Sequence, residues 1–433
     1  MILHWLITAC YLFLFLFILK KSRFLNDHSL PWRLLAAAFV IKVISGIVYG
    51  YFDASSGRHG GDSMNYFWDA NWIFRAFHEN PAAYFQMLTG IHDGSREIYT
   101  NYYQYLITWK VNDFDNFFND SRTFVRLHAF IRLFSFGVYN VHVMVLAFLS
   151  FIGQLLLFKT FRPYLGGHGI LLFVLLCFLP SSLVWYSAAL KEPLLMLGLG
   201  LCVWNFYRII TCTCGNSHIA GLLASVLLLL AIRFYLLACL APAILAWWWL
   251  AKKPAKPWLK AAGISAGLLG AILATEFTGG EYKISRLLYD QLMNSVKQVE
   301  YYEPGTKVEY TPMEPDLGDI LAKSPGAFLK TLATPLTNSA TNIYKLPFFA
   351  ENIFLLLLAC FVMFRFRKAG KQSDPLLFFS LFFVVILYIL IGLTTPNEGT
   401  ILRYRSVALP FILFILLSFY RARAPESEKK IPS

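Results

Sequence analysis

The chain has 433 residues, 57% hydrophobic and only 15% charged, with 40 Phe, 23 Tyr and 11 Trp and a mean hydropathy of +0.55. Ordinary globular domains run about 45–50% apolar and about 25% charged, so this excess excludes a soluble single domain and requires a bilayer as solvent. The formal net charge of +13 would argue for a nucleic-acid partner only if it formed a patch, and its distribution along the chain removes that reading.

A membrane crossing takes roughly 20 mostly apolar residues. Eleven segments qualify: 2–19, 34–51, 138–158, 169–185, 193–207, 219–232, 234–250, 259–277, 348–364, 375–393 and 407–419. The pair flanking Arg233 reads either as two short helices or as one bent re-entrant unit. The expected fold is an all-α polytopic membrane protein of about 11 transmembrane helices. Residues 1–423 form one transmembrane domain, with two large outer loops at 52–137 and 278–347 and a cytoplasmic tail at 424–433.

Lys and Arg beside a span stay cytoplasmic, so the basic clusters set the orientation. Nineteen cations and four acids fall on alternate loops, from the Lys20–Lys21 pair to the C-terminal tail, and make that rim +15. The other side carries 18 cations and 21 acids, or −3, and Lys42 alone is left inside a span on this count. The N-terminus is expected outside and the C-terminus inside. The first span lacks a cationic region before it and is followed by basic residues, the reverse of a secretory signal, so it reads as a retained helix. Five of the seven Cys lie within expected spans and read as packing residues. Cys212 and Cys214 form an inner C-x-C without a second cluster, and neither outer loop contains Cys, so no disulfide framework is expected there.

Loops beyond about 12–15 residues are usually functional or disordered, and these two are neither Ser/Gly-rich nor highly charged. In the first, Phe67, Ala70, Phe74 and Phe77 share one helical face, as do Phe124, Leu127, Ile131 and Phe134 in a second helix, with Arg122 and Arg126 turned away. Both stripes fit amphipathic helices lying in the headgroup layer, and equally helices packed on their neighbours.

Four polar groups stand out. A helix starting at Asp62 or Ser63, after Gly60-Gly61, places Asp62, Tyr66 and Asp69 at i, i+4 and i+7 on one polar face. Asp62 then either caps the helix or serves as a carboxylate that accepts a proton from a nucleophile, with His59 as an assistant or metal ligand. Lys191-Glu192 lies at the outer mouth between two spans, beside Trp185 and Tyr186. It either neutralises itself or presents a cation to a lipid phosphate. Arg233, with Phe234 and Tyr235, stands between two apolar segments, where an arginine needs a partner or a function. Asn397-Glu398 and then Arg403-Tyr404-Arg405 precede the last span. In an extended loop the two arginines share a face, and in a helix they diverge.

The stretch Gly61-Asp62-Ser63-Met64-Asn65-Tyr66, at the start of the first large outer loop of a many-span chain, resembles the GT-C superfamily of membrane glycosyltransferases. That superfamily includes protein mannosyltransferases and the aminoarabinose transferase of lipid A. The resemblance implies a polyprenyl-phosphate sugar donor, an acidic residue in that loop and interfacial helices around it. Here the acidic loop follows the second expected span, where better known members carry it after the first.

The function expected is transfer of a sugar from a polyprenyl-phosphate donor to an envelope glycan, lipid or protein acceptor, at the outer face of a bacterial inner membrane. Asp62 acts on the acceptor nucleophile, with inversion at the anomeric carbon. Lys191, Arg233, Arg403 and Arg405 bind the donor phosphate, and Tyr66, Asp69, Glu192, Tyr235 and Asn397 complete the binding residues. The stretch 99–109 is read as a sugar-stacking wall or as packing, and the second loop, with Pro325-Gly326 and Tyr301-Tyr302, as the acceptor side or a lid. No cofactor signature stands out, and a divalent metal is the one the residues allow. The alternatives are a polymerase or ligase of lipid-diphosphate-linked glycans, leaning on Arg403 or Arg405, and a transporter or flippase of lipid-linked sugars, leaning on Lys42. The partners are the donor, the acceptor and the lipid bilayer, with no nucleic acid.

Overall fold

The computed structural model describes residues 2–25, 29–55, 61–109, 120–211, 215–252, 256–277, 283–302, 310, 312–335, 345–366 and 374–421. All elements among them are helical. In chain order the α-helices are α1 (Ile2–Lys21), α2 (Trp32–Ala54), α3 (Asp62–Glu79), α4 (Pro81–Thr89), α5 (Arg96–Asn101), α6 (Asp120–Ser135), α7 (Tyr139–Phe161), α8 (Gly169–Phe178) and α9 (Pro180–Trp185). They continue with α10 (Glu192–Thr211), α11 (Asn216–Lys252), α12 (Pro257–Glu276), α13 (Ile284–Tyr302), α14 (Leu317–Ala333), α15 (Leu346–Phe366), α16 (Pro375–Thr394), α17 (Glu398–Ser406) and α18 (Leu409–Arg421).

The chain is a multi-pass, all-helical membrane protein: among the described residues eight helices are long and apolar enough to cross a bilayer, and a ninth crossing arises if α17 and α18, bent by 59°, form one span. The expected eleven is not reached among the described residues, for three local reasons. The segment 169–185 is broken at Leu179, whose extended backbone (φ −63, ψ 143) ends α8 after ten residues, just ahead of Pro180. Proline disfavours helix in the residue before it. The two segments flanking Arg233 are two helices joined across a kink, with non-helical backbone at Arg233 (φ −155, ψ 90), and α11 takes them as one long helix. The last segment, α18, has 13 residues and crosses only together with α17.

The described chain divides into two compact units, residues 1–160 with 182–234, and residues 161–181 with 235–433. In the first, Phe39 of α2 lies edge-on to Phe148 and tilted against Phe151 of α7, with ring centroids 5.7 and 5.8 Å apart. The backbones of α7 and α10 touch at Gly153, where a Cβ would lie 2.7 Å from the Leu197 nitrogen and closer still to the Met196 carbonyl. Small residues permit this approach between membrane helices. The first outer loop folds as a helical body in which α3 packs on α4 and α6.

Both expected amphipathic stripes of that loop are packed inside it. Phe67, Ala70, Phe124 and Ile131 are buried, and Phe74, Phe77, Leu127 and Phe134 are half-buried. The aromatic rings find partners within the body, Phe67 against Tyr139 and His142 and Phe124 against Tyr66.

In the second unit α14 packs along α16, and α13 lays Leu292 and Val296 on the same cluster as Ile320, Ala327 and Leu393. The second outer loop thus supplies two helices with a shared apolar core. Phe161, Phe379, Phe383, Phe411 and Phe414 form an aromatic cluster where α16 meets α18.

Candidate functional site

The start of α3 is built by α2. Gly61 occupies the N-cap position without a side-chain cap, and Asp53, near the end of α2, supplies one: its Oδ2 accepts from Met64 N at 3.1 Å, and its carbonyl accepts from Gly61 N at 2.8 Å. Capping falls to Asp53, and Asp62 is left exposed as the first residue of the helix. Ser63 is hydrogen-bonded to the Tyr139 hydroxyl of α7, which fixes the rotation of α3.

One turn along, Tyr66 is buried. The Lys191 ammonium lies 5.4 Å from its ring centroid and donates to Ser121 Oγ of α6 at 3.0 Å. A cation over an aromatic face is held by the ring quadrupole. Asp62, Tyr66 and Lys191 therefore share one neighbourhood, as the i, i+4 spacing required of the first two. Lys191 itself ends a segment, Tyr186 to Lys191, that lies between α9 and α10 and is buried at every residue. Non-helical backbone is tolerated in a membrane protein where protein surrounds it or a cavity borders it.

Glu192 opens α10 and is almost wholly buried, with Arg233 Nη2 at 3.6 Å from its Oε1. Two expected binding residues are thus an ion pair at the point where α11 departs from helical geometry. Lys42, midway along α2, is buried with its ammonium 5.5 Å from the ring centroid of Tyr186. The same irregular segment therefore ends in a lysine that reaches the outer loop body and receives a second lysine from the span.

Asp69 does not join Asp62. It is buried and accepts from Ile107 N at 2.8 Å, Thr108 N at 2.7 Å and the Thr108 hydroxyl, pinning the segment after α5 to α3. Burial pushes its carboxyl above the usual range against the pull of these bonds. The aromatic stretch is mostly packing. Tyr103 stacks on Trp109 with centroids 4.5 Å apart and donates to Asp93 at 2.8 Å, while Arg122 and Arg126 lie over the same indole at 5.3 and 5.1 Å. Burial, with Asp93 alongside, raises the Tyr103 phenol well above its usual value. Tyr105 is exposed and stacks on Trp72.

In the second unit Asn397 is an N-cap, accepting from Thr400 N at 3.2 Å. The segment after it is the helix α17, so Arg403 and Arg405 diverge. Arg403 is half-buried. Arg405 is buried, and its Nη1 donates to the carbonyls of Thr331, Leu332 and Thr334 and, at 3.1 Å, to Asn352 Oδ1. These carbonyls are the open C-terminal end of α14, which a cation satisfies well. Tyr235 lies against Tyr404, with centroids 6.4 Å apart. Glu398 is ion-paired with Lys345. Pro325 and Gly326 lie inside α14.

Sequence reasoning missed Asp53 and Glu351. Glu351 sits within α15 and accepts from Ser181 N and Ser181 Oγ, both at 2.7 Å. It lies inside the expected span 348–364, so Lys42 is not alone as a charged residue in a span. A carboxylate inside an apolar run is a signal in itself. Asp53 left a weaker one, a single acid at the end of a span, shortly before Gly60-Gly61 in the sequence.

Among the described residues no group of three or more His, Cys, Asp or Glu side chains is placed to hold a metal. His59, the C-x-C of Cys212 and Cys214, the side chains of Tyr301 and Tyr302 and the tail 424–433 lie outside the described residues. Cys177, Cys202 and Cys239 are buried as expected of packing residues, whereas Cys10 and Cys360 are exposed. No family model, curated protein or solved structure matches the chain.

Proposed function

We propose that the chain is a membrane glycosyltransferase, in the manner of the GT-C superfamily, that moves a sugar from a polyprenyl-phosphate donor to an envelope glycan, lipid or protein acceptor at the outer face of a bacterial inner membrane. The observation that carries this reading is the placing of Lys191 over Tyr66, one helical turn from the exposed Asp62. Asp62 accepts the proton of the acceptor hydroxyl or amine as that atom attacks the anomeric carbon. The bond from that carbon to the phosphate oxygen breaks, the configuration inverts, and the Lys191 ammonium offsets the charge gathering on the leaving phosphate. Arg233 joins through Glu192. Arg405 is committed to carbonyls.

The test is transfer from a panel of polyprenyl-phosphate hexoses and pentoses by the full chain in proteoliposomes. Removal of a general base slows a reaction by about 10²–10⁴, so Asp62→Asn is expected to lose at least about 100-fold with insertion and thermal midpoint unchanged. Full activity in Asp62→Asn contradicts the reading. One observation favours a second reading, a transporter or flippase of lipid-linked sugars: Lys42, in the middle of a span, faces Tyr186 in an irregular buried segment, as groups on an ion or substrate path do. In that case Lys42→Leu stops transport and no sugar bond is cleaved.

A further inference from the structure

The first turns of α1, α3 and α7 and the end of α2 border a cavity of about 160 Å³, whose lining includes His4, Trp5, Tyr51, Met64, Tyr139 and Asn140. All four helices belong to the first unit. Local bonds bring these residues together. Asn140 Nδ2 donates to Thr8 Oγ1 at 3.2 Å, and the Thr8 hydroxyl donates in turn to the His4 carbonyl at 2.7 Å, so α1 and α7 meet by their first turns. Gly50 has no side chain where a Cβ would stand 2.6 Å from the Tyr139 hydroxyl, and the Tyr139 ring therefore lies against the α2 backbone next to Tyr51. The same hydroxyl is bonded to Ser63, which sets the cavity wall beside the exposed Asp62.

The chemistry of the lining is selective. One Trp and two Tyr supply aromatic faces, Met64 a thioether, and no Asp, Glu, Lys or Arg takes part. Asn140 is only 8% exposed; its nitrogen is committed to Thr8, and among the described residues no donor reaches its Oδ1. Buried polar atoms in folded proteins have partners, so this oxygen calls for a ligand that donates. An acyl chain has no donor to give. A quaternary ammonium suits aromatic walls but has none either. A phosphate or carboxylate is recognised by a cation, which the lining lacks. Water takes about 30 Å³ a molecule, and drug-sized ligands occupy about 300–1,000 Å³, so the volume lies between the two.

We infer that the cavity seats one neutral sugar ring of the acceptor, and hence that the acceptor is a glycan. The C–H faces of such a ring lie on aromatic faces, whose quadrupole is negative there, and a ring hydroxyl donates to Asn140 Oδ1. The donor sugar is a different ring, carried on a phosphate, and the cation placed for that phosphate is Lys191 over Tyr66. The inference rests on the transferase reading above, and the nucleophile of that step is then a glycan hydroxyl. The acceptor side thereby moves from the second outer loop, where the sequence puts it, to the start of the first.

The experiment is saturation-transfer NMR on the full chain in nanodiscs. The probes are the methyl glycosides of glucose, galactose, mannose and N-acetylglucosamine, with choline chloride and inorganic phosphate as controls. Trp5 and Tyr51 are 50% and 60% exposed, so Trp5→Leu and Tyr51→Leu leave the packed interior untouched. At least one glycoside is expected to bind, with a Kd that rises about tenfold in each variant, and neither control is expected to compete with it. No glycoside bound, equal affinity in the wild type and both folded variants, or displacement of the glycoside by choline overturns the inference. Glycoside binding that depends on Trp5 and Tyr51 in a chain that transfers no sugar keeps the sugar site and removes the transferase reading. Transfer to a glycan with an unchanged acceptor KM in Trp5→Leu and Tyr51→Leu does the opposite.

Discussion

In the unit of residues 161–181 and 235–433, Arg405 gives one nitrogen to three backbone carbonyls and an amide oxygen. In the unit of residues 1–160 and 182–234, Lys191 rests on a hydroxyl and an aromatic ring, and Arg233 stands 3.6 Å from Glu192. All four side chains are buried. The difference lies in what holds the charge. Carbonyls at the end of a helix and an amide oxygen gather on one nitrogen of the guanidinium and fix it there. A hydroxyl and a ring face fix the Lys191 ammonium beside the start of α3, among the residues proposed to meet the donor phosphate. The second unit uses its buried arginine as a fastener between α14, α15 and α17.

The comparison breaks most visibly if Arg405 proves dispensable. Arg405→Leu removes the charged donor from the last carbonyls of α14, of which Leu332 keeps Asn352 Nδ2; with charged hydrogen bonds worth about 1.5–3 kcal/mol each, the loss of two or three amounts to about 5 kcal/mol. A large fall in thermal midpoint in detergent is the expected reading, with Arg405→Lys recovering only part of it because an ammonium lacks the planar fork. The pair in the first unit predicts a different pattern. Arg233→Met takes a cation from the buried Glu192 carboxylate and is expected to cost about 3 kcal/mol, whereas adding Glu192→Gln to it restores most of the midpoint. A double variant no better than the single one shows that Arg233 has another stabilising role.

A smaller effect separates the units by pH. His128 on α6 is fully buried, with Nδ1 3.0 Å from Nδ1 of His142, whose Nε2 is 2.9 Å from Ser135 Oγ. Burial lowers the His128 pKa to about 3, with Arg132 on the same helix and His142 beside it as the neighbouring charged or titratable groups. The folded state thus resists a proton that the unfolded chain accepts near pH 6.5, so this contribution is whole above that pH and is lost as the pH falls toward 3. The slope approaches about 1.4 kcal/mol per pH unit below 6.5. Thermal midpoints at pH 7.5, 6 and 5 are expected to fall for the native chain and to flatten in His128→Gln.

The class of the fold was legible because a bilayer imposes a length and a composition on every crossing, and seven of the eight spans coincide with single runs of apolar residues. The difference in count among the described residues has a physical source in the hydropathy itself, which is blind to the extended backbone at Leu179 and to the bend between α17 and α18. At the site, the spacing of Asp62 and Tyr66 was readable, since helical period alone places them on one face. Asp69 shares that period and still serves a different task, because its partners at Ile107 and Thr108 are 38 and 39 residues away. Arg405 likewise looked like a phosphate ligand as long as the chain end of α14, more than 70 residues earlier, was out of view. Long-range hydrogen bonds decide between such roles, and they leave no local pattern.

The central claim is that Lys191, held over Tyr66 beside Asp62, meets the phosphate of a polyprenyl carrier. It is tested most directly by the Kd of undecaprenyl phosphate for the full chain in nanodiscs, wild type against Lys191→Met and Lys191→Arg. The prediction is that Lys191→Met weakens binding by about tenfold or more, about 1.4 kcal/mol, at an unchanged thermal midpoint, while Lys191→Arg retains most of the affinity. Equal affinity in the wild type and in a folded Lys191→Met contradicts the account.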